Sequence, residues 1–216
     1  MADFDQLVKA RHSTRKFLST PVPRTLLNES LALAQFAPSN SNIQPWHVLI
    51  ADGVRRDRLK EALISEAKQA APVVPPLPDE FKHFRQELGA EVYGAMGIAR
   101  EDKASRAAAV LRNYEFFGAP VVAIICIHQD LGRADDMSVG MYVQTLMLAL
   151  TERGLGSCCE VSLAGYSDIL RKELNIQPEL AIICGIAIGY ADPDFPGNHL
   201  HVGRAPVEHN VVFLDS

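Results

Sequence analysis

The run VGMYVQTLMLALTERG, beginning at Val139, narrows the possible folds of this chain more than any other stretch. At helical spacing Val143, Leu146, Met147 and Leu150 form one apolar stripe, and Met141, Leu148 and Ala149 make other faces apolar too. A helix of this kind needs cover on nearly every side. It either stands at the centre of one chain's core or runs through both that core and an interface between copies, and its breadth favours the second. Ser138 is placed to cap its start, and Gly154 to end it in a left-handed turn.

Two further apolar runs, PVVAIICI from Pro120 and AIICGIAIG from Ala181, fall short of the roughly 20 residues a bilayer-crossing helix needs, and read as buried strands. Between Thr25 and Ala37, Leu27, Leu31 and Ala34 share a helical face until Pro38 stops the pattern. WHVLIA reads as a strand, Asp52-Gly53 as a turn, and RRDRLKEALISEAKQA as an amphipathic helix. Arg106 to Phe117 gives another helix, ended by Gly118 and Pro120, and SDILRKELNI a short one before the last strand. Helices alternating with a few strong strands predict an α+β or three-layer α/β architecture. No glycine-rich fingerprint follows the first strand, so a dinucleotide-binding Rossmann domain has no support.

A length of 216 residues fits one domain, with one insertion at most. The candidate insertion is 71–104, where PVVPPLP gives a stiff extended lead-in to a helical stretch interrupted by Gly89, Gly94 and Gly97. Its aromatic residues Phe81, Phe84 and Tyr93 are candidate substrate contacts if the segment is a lid; a plain surface excursion fits the composition equally well. The net charge of -5, with both signs interspersed, lacks the basic stripe that nucleic acid or an anionic membrane demands, so neither is expected as a partner. The charged amino terminus has no secretory apolar segment, and four cysteines without CxxC spacing point to reduced thiols in a cytoplasmic protein.

Chemistry enters with RHSTR, Arg11 to Arg15. Two guanidinium forks flanking the Ser13 hydroxyl suit a phosphate, although a solvated basic terminus explains the same residues when they are taken alone. The connection APSNSNIQPW, from Ala37 to Trp46, concentrates amides and hydroxyls beyond what a surface loop needs. His199, His201 and His209 have no acidic or cysteine ligand to complete a metal set, so no metal is expected. No GxSxG element or credible Cys/His pair offers a protein nucleophile.

Taken in order, RHSTRKF, PSNSNIQPW and the tail Gly203-Arg204-Ala205-Pro206 resemble the FMN-dependent nitroreductase family, and GLGS near Gly154 extends the likeness over essentially the whole chain. The resemblance implies an α+β three-layer sandwich with a mostly antiparallel sheet flanked by helices. It also implies an intertwined homodimer with two FMN sites at the interface. Arg11, Ser13 and Arg204 would hold the FMN phosphate, His12 the pyrimidine edge, and Arg15 would sit near N1 and O2, where a cation stabilises negative charge on the ring. Pro38, Ser39, Asn40 and Asn42 would reach the flavin of the partner subunit, with Gln44 and Trp46 as lesser contributors. Cys159, Val161 and Ser162 belong to a strand segment offering a backbone N–H to N5. Where some members carry a second cation before the terminal arginine, this chain has His201, Val202 and Gly203.

The implied reaction passes hydride from NADH or NADPH through flavin N5 to a nitroaromatic, by way of nitroso to hydroxylamine, with no catalytic side chain required. Quinone or enone reduction and flavin carriage are the alternatives. Reductive dehalogenation is a further one, but Gly89 stands one turn before Tyr93 where that activity's clamp requires an acid.

Overall fold

The computed structural model describes residues 3–214. Four strands form one antiparallel sheet: β1 (His47–Asp52), β2 (Val121–His128), β3 (Gly156–Glu160) and β4 (Leu180–Gly189), in the order β1-β2-β4-β3. Every residue of β2 except His128 is buried, as the unbroken apolar run requires for a strand covered on both faces. Alternation then assigns its side chains to two layers. Val122, Ile124 and Cys126 pack with α3 (Gly53–Ala67) and α7 (Ser167–Leu174), whereas Val121, Ala123, Ile125 and Ile127 pack with α2 (Arg24–Ala34) and α6 (Arg133–Glu152). The result is the α+β three-layer sandwich with helices on both faces.

Trp46, at the end of the polar loop, is part of the second layer. Its ring stacks on Tyr142 of α6 at 4.7 Å, and its Nε1 donates to Gln35 Oε1 at 3.0 Å. Buried residues of α6 include Val139, Tyr142, Val143, Leu146, Ala149 and Leu150, while Met141, Met147 and Leu148 are only half covered and Met137 is 63% exposed. One chain therefore covers only part of the broad apolar surface of that helix.

Four local expectations need correction. Helix α6 starts at Arg133, so Ser138 lies inside it and bonds back to the Ala134 carbonyl at 3.2 Å; the start is capped instead by Asp135, whose Oδ2 accepts from Gly132 N at 3.1 Å. A long apolar tract hides its own polar first turn. Gly89 and Gly94 do not interrupt α4 (Lys82–Ala95), because an isolated glycine costs a helix only about 1 kcal/mol. The segment after it ends with Gly97 in a left-handed turn, φ +70°. Helix α5 (Lys103–Leu111) stops before Phe117, and the chain turns through Phe116 and Phe117 at φ +54° and +53° before Gly118. Both rings are buried, and that packing holds a backbone which bulky residues otherwise avoid. Finally, β3 ends at Glu160, so Val161 and Ser162 open a 3-10 turn (Val161–Tyr166) rather than continuing the strand.

The amino terminus adds α1 (Phe4–Ala10), capped by Asp3. From there residues 13–17 run beside the free edge of β3, bridging Ser13 to Ser157 and Phe17 to Ala191, with Thr14 N donating to Ser157 O at 3.0 Å. A side chain at Gly156 would overlap Thr14, so the second glycine of GLGS is the one that lets RHSTR lie against the sheet.

Candidate functional site

A cleft of about 770 Å³ opens where this edge segment, α6 and the carboxyl-terminal tail meet. That lies within the range of small-molecule and cofactor sites, about 300–1,000 Å³. Arg11, His12, Ser13 and Arg15 line it together with His201 and Arg204, so residues nearly the full chain length apart share one wall. Among the described residues no acidic side chain lines the cleft. The donors suit a phosphate monoester: planar guanidinium forks and a hydroxyl line the same cleft.

Local structure fixes these donors to different degrees. Arg15 is held by its backbone from both sides, its N donating to Asn198 Oδ1 at 2.7 Å and its carbonyl accepting from Arg112 Nη2 at 2.7 Å. Asn198 is itself buried and donates to the Lys16 and Asp192 carbonyls at 2.8 and 3.0 Å. The neighbouring Lys16–Asp192 ion pair at 2.9 Å, chiefly through its hydrogen bond, holds the Asp192 carboxyl below its ordinary range. His12 Nδ1 lies 2.8 Å from the Ala10 carbonyl; a carbonyl can only accept, so Nδ1 is the donor in this contact. Arg204 is less constrained, its Nη1 folding back on the Val202 and Gly203 carbonyls at 2.7 and 3.0 Å.

The polar loop is elsewhere. Pro38, Ser39, Asn40, Asn42 and Gln44 line neither this cleft nor the other large one of their own chain; Asn40 instead docks on the start of α6, its N donating to Ser138 Oγ at 3.1 Å and its Nδ2 to Asp135 Oδ1 at 3.4 Å. Ser41, Asn42 and Gln44 all have left-handed φ, from +47° to +56°, a concentration of backbone strain typical of ligand-contacting segments. Cys159, Val161 and Ser162 also line neither large cleft. Cys159 is exposed, and a hydrogen bond with the Cys184 thiol lowers its pKa, while the same contact and burial push Cys184 up. Next to it, Glu160 is 4% exposed with neither carboxylate oxygen hydrogen-bonded among the described residues. Burial pushes its carboxyl well above the carboxylate range, and the Cys159 thiolate adds to that.

A second cleft of about 720 Å³ lies under α4 and shares Arg15 and Leu88 with the first. Tyr93 lines it and lies under the Arg106 guanidinium, 4.1 Å from ring centroid to Cζ. Phe81 and Phe84 line neither cleft and are 46% and 57% exposed.

Val8, Lys9, Leu88, Gln144 and Leu200, none of them marked by a motif, also line the first cleft. Gln144 was detectable, since an amide amid apolar neighbours on α6 needs a polar outlet; Asn198 gave no such sign, because its role is to hold a segment 183 residues away. His199 donates from Nε2 to the Pro193 carbonyl at 2.7 Å, and no group of three or more His, Cys, Asp or Glu among the described residues is placed to hold a metal ion. No helix among them is long and apolar enough to cross a membrane.

Comparison with known proteins gives the class. The Nitroreductase family profile matches residues 8–190, and the chain belongs to that family. It is 35% identical to a 4-nitrobenzoate reductase of Pseudomonas putida over 94% of this chain and 91% of the relative. Among solved structures it matches the FMN and NADPH-dependent nitroreductase NfnB of Sphigopyxis sp. strain HMH with TM-score 0.95 and 32% identity, covering 100% of both chains. It also matches the FMN-dependent nitroreductase NfnB of Mycobacterium smegmatis in complex with NADPH, with TM-score 0.90 and 34% identity over 97% of this chain and 96% of the other.

Proposed function

We propose that the protein is an NAD(P)H-dependent FMN nitroreductase working as a homodimer. The observation that carries this reading is the acid-free cleft that collects Arg11, Ser13, Arg15 and Arg204 from the two ends of the chain. FMN, when bound, would supply two-electron redox chemistry between the nicotinamide and the acceptor, a nitro group taking two electrons and two protons to give nitroso and water, and two more of each to give hydroxylamine. The side chains bind and orient. Arg11, Ser13 and Arg204 hold the phosphate, and His12 meets the pyrimidine edge. Arg15, its backbone fixed by Asn198 and Arg112, sets a permanent positive charge where the ring becomes electron-rich. Val161, first residue of the turn after β3, offers the N–H toward N5, since a helical turn's first donors have no acceptor within it. The neighbouring Cys159 and Ser162 complete that contact, and segment 71–104, none of it buried, acts as the lid.

A second copy completes the site. The strained loop carrying Pro38, Ser39, Asn40, Asn42 and Gln44 lies away from its own cleft, so its amides serve the partner's flavin. Half-covered Met141, Met147 and Leu148 on α6, and the exposed tail residues Val212, Phe213 and Leu214, supply apolar surface for the interface. The four free thiols suit a reducing compartment, and we assign the protein to the cytoplasm.

The test is two anaerobic half-reactions on the yellow holoprotein. Flavin absorbance is expected to bleach with NADPH or NADH and return when a nitrobenzoate is added. Absorbance unmoved by either nicotinamide would mean a flavin carrier instead. Sedimentation should give the mass of two chains; a single-chain mass at every concentration contradicts the shared site.

A further inference from the structure

The second cleft carries more positive charge than flavin binding uses. Arg15, Lys82, Arg85, Arg106 and Arg112 all line it and, among the described residues, no acidic one does, although the whole chain has a net charge of -5. Like charges around one void repel, which raises the energy of the site until an anion enters. Three of the five are already engaged. Lys82 pairs with Asp79 at 2.5 Å, Arg15 donates to the Ser13 carbonyl at 3.3 Å, and Arg112 donates to the Arg15 carbonyl and lies over the Phe195 ring at 4.7 Å. Arg106 stacks on Tyr93 by its face, which leaves its in-plane N–H groups to point elsewhere. Arg85 has no ion pair or hydrogen bond among the described residues.

Apart from Gln86 and Asn113 the rest of the wall is mainly apolar, with Val92, Met96 and Phe117 forming a surface for a flat ring. A planar ring beside the Arg85 guanidinium and the in-plane N–H groups of Arg106 describes a compact aromatic acid. We propose that Arg85 and Arg106 recognise the carboxylate of the acceptor, so that this enzyme selects carboxylated nitroarenes over neutral ones. The inference rests on the nitroreductase reading. It assigns the anion to the acceptor rather than to the 2′-phosphate of NADPH because ring wall and cations share one cavity, whereas that phosphate sits on the ribose at the far end of the dinucleotide from the nicotinamide.

The experiment uses FMN-loaded wild type, Arg85→Ala, Arg106→Ala and Arg85→Lys, with 4-nitrobenzoate and its neutral isostere 4-nitrobenzamide as acceptors. For 4-nitrobenzoate each alanine variant should lose about tenfold in kcat/KM, the scale of one charge-assisted hydrogen bond, and Arg85→Lys should recover part of it. For 4-nitrobenzamide the change should stay under about twofold, and added salt should weaken only the 4-nitrobenzoate reaction. Removing Arg106 also removes the Tyr93 stack, so Arg85→Ala, checked for unchanged melting and flavin content, decides the matter. Equal losses for both acceptors, or a change confined to the preference between NADPH and NADH, overturn the proposal while wild-type turnover of 4-nitrobenzamide leaves the nitroreductase reading standing. Wild type that reduces neither acceptor removes both.

Discussion

Strand β2 and the segment 71–104 use apolar residues in opposite ways. In β2 seven of eight residues are buried between two helical layers, whereas no residue of 71–104 is buried, and Phe81, Phe84 and Leu88 remain 46%, 57% and 37% exposed. The strand is held by its own core. The segment is held by a few ties: Val73 N to the Gly165 carbonyl at 3.0 Å and the Tyr93–Arg106 stack, with Tyr166 Oη fixing the residue just before it through the Ala70 carbonyl at 2.7 Å. Stability is thus concentrated in the sheet, and the part that borders the second cleft belongs to the easily opened end of the structure.

That contrast breaks most readily on a pair of truncations. Ile124→Ala, at a fully buried site, should cost about 2–5 kcal/mol in chemical denaturation, while Phe84→Ala should stay within about 0.5 kcal/mol. Similar losses would mean that the segment is part of the core after all. Between these extremes stands Asn198→Ala, which removes three hydrogen bonds from a buried amide and should cost about 1–3 kcal/mol. Because Arg15 loses its backbone clamp, FMN affinity should fall as well; affinity unchanged beside lost stability would make Asn198 purely structural.

A smaller, pH-dependent effect comes from Glu160. Its carboxyl lies well above the ordinary value of 4.5, so between that value and the raised one the folded state keeps a proton that the unfolded chain releases. Stability from this group is full below the ordinary value and is lost as pH rises through the raised one. In Glu160→Gln that loss disappears, so the stability of the variant relative to wild type in chemical denaturation should rise as pH climbs above the ordinary carboxyl value, by at most about 1.4 kcal/mol per pH unit. A difference that does not change with pH would show that the acid is not held neutral.

The same contrast explains what could be read in the sequence. β2 and β4 were evident because burial on both faces demands an unbroken apolar run, and α6 because its apolar breadth exceeds one stripe. Helix limits were less legible where tertiary packing overrides local preference, as in the left-handed turn at Phe116 and Phe117, which no local residue signal announces. For the site, RHSTR and Arg204 were visible as cations with a hydroxyl, yet their meeting depends on Gly156 making room for Thr14 and on Asn198 bridging the chain ends. Phe81 and Phe84 stand out by type alone, whereas exposed Arg85 on the same helix and half-buried Arg106 on the next are the ones lining the cleft.

The most direct measurement is an equilibrium titration of wild type and the Arg11→Ala/Arg204→Ala double variant with FMN and with riboflavin, which lacks the phosphate. Loss of two charge-assisted contacts should weaken FMN binding by about a hundredfold or more and leave riboflavin binding where it was. Equal FMN affinity in the two proteins would contradict the account, since the cleft joining both ends of the chain would then not be where the phosphate is held.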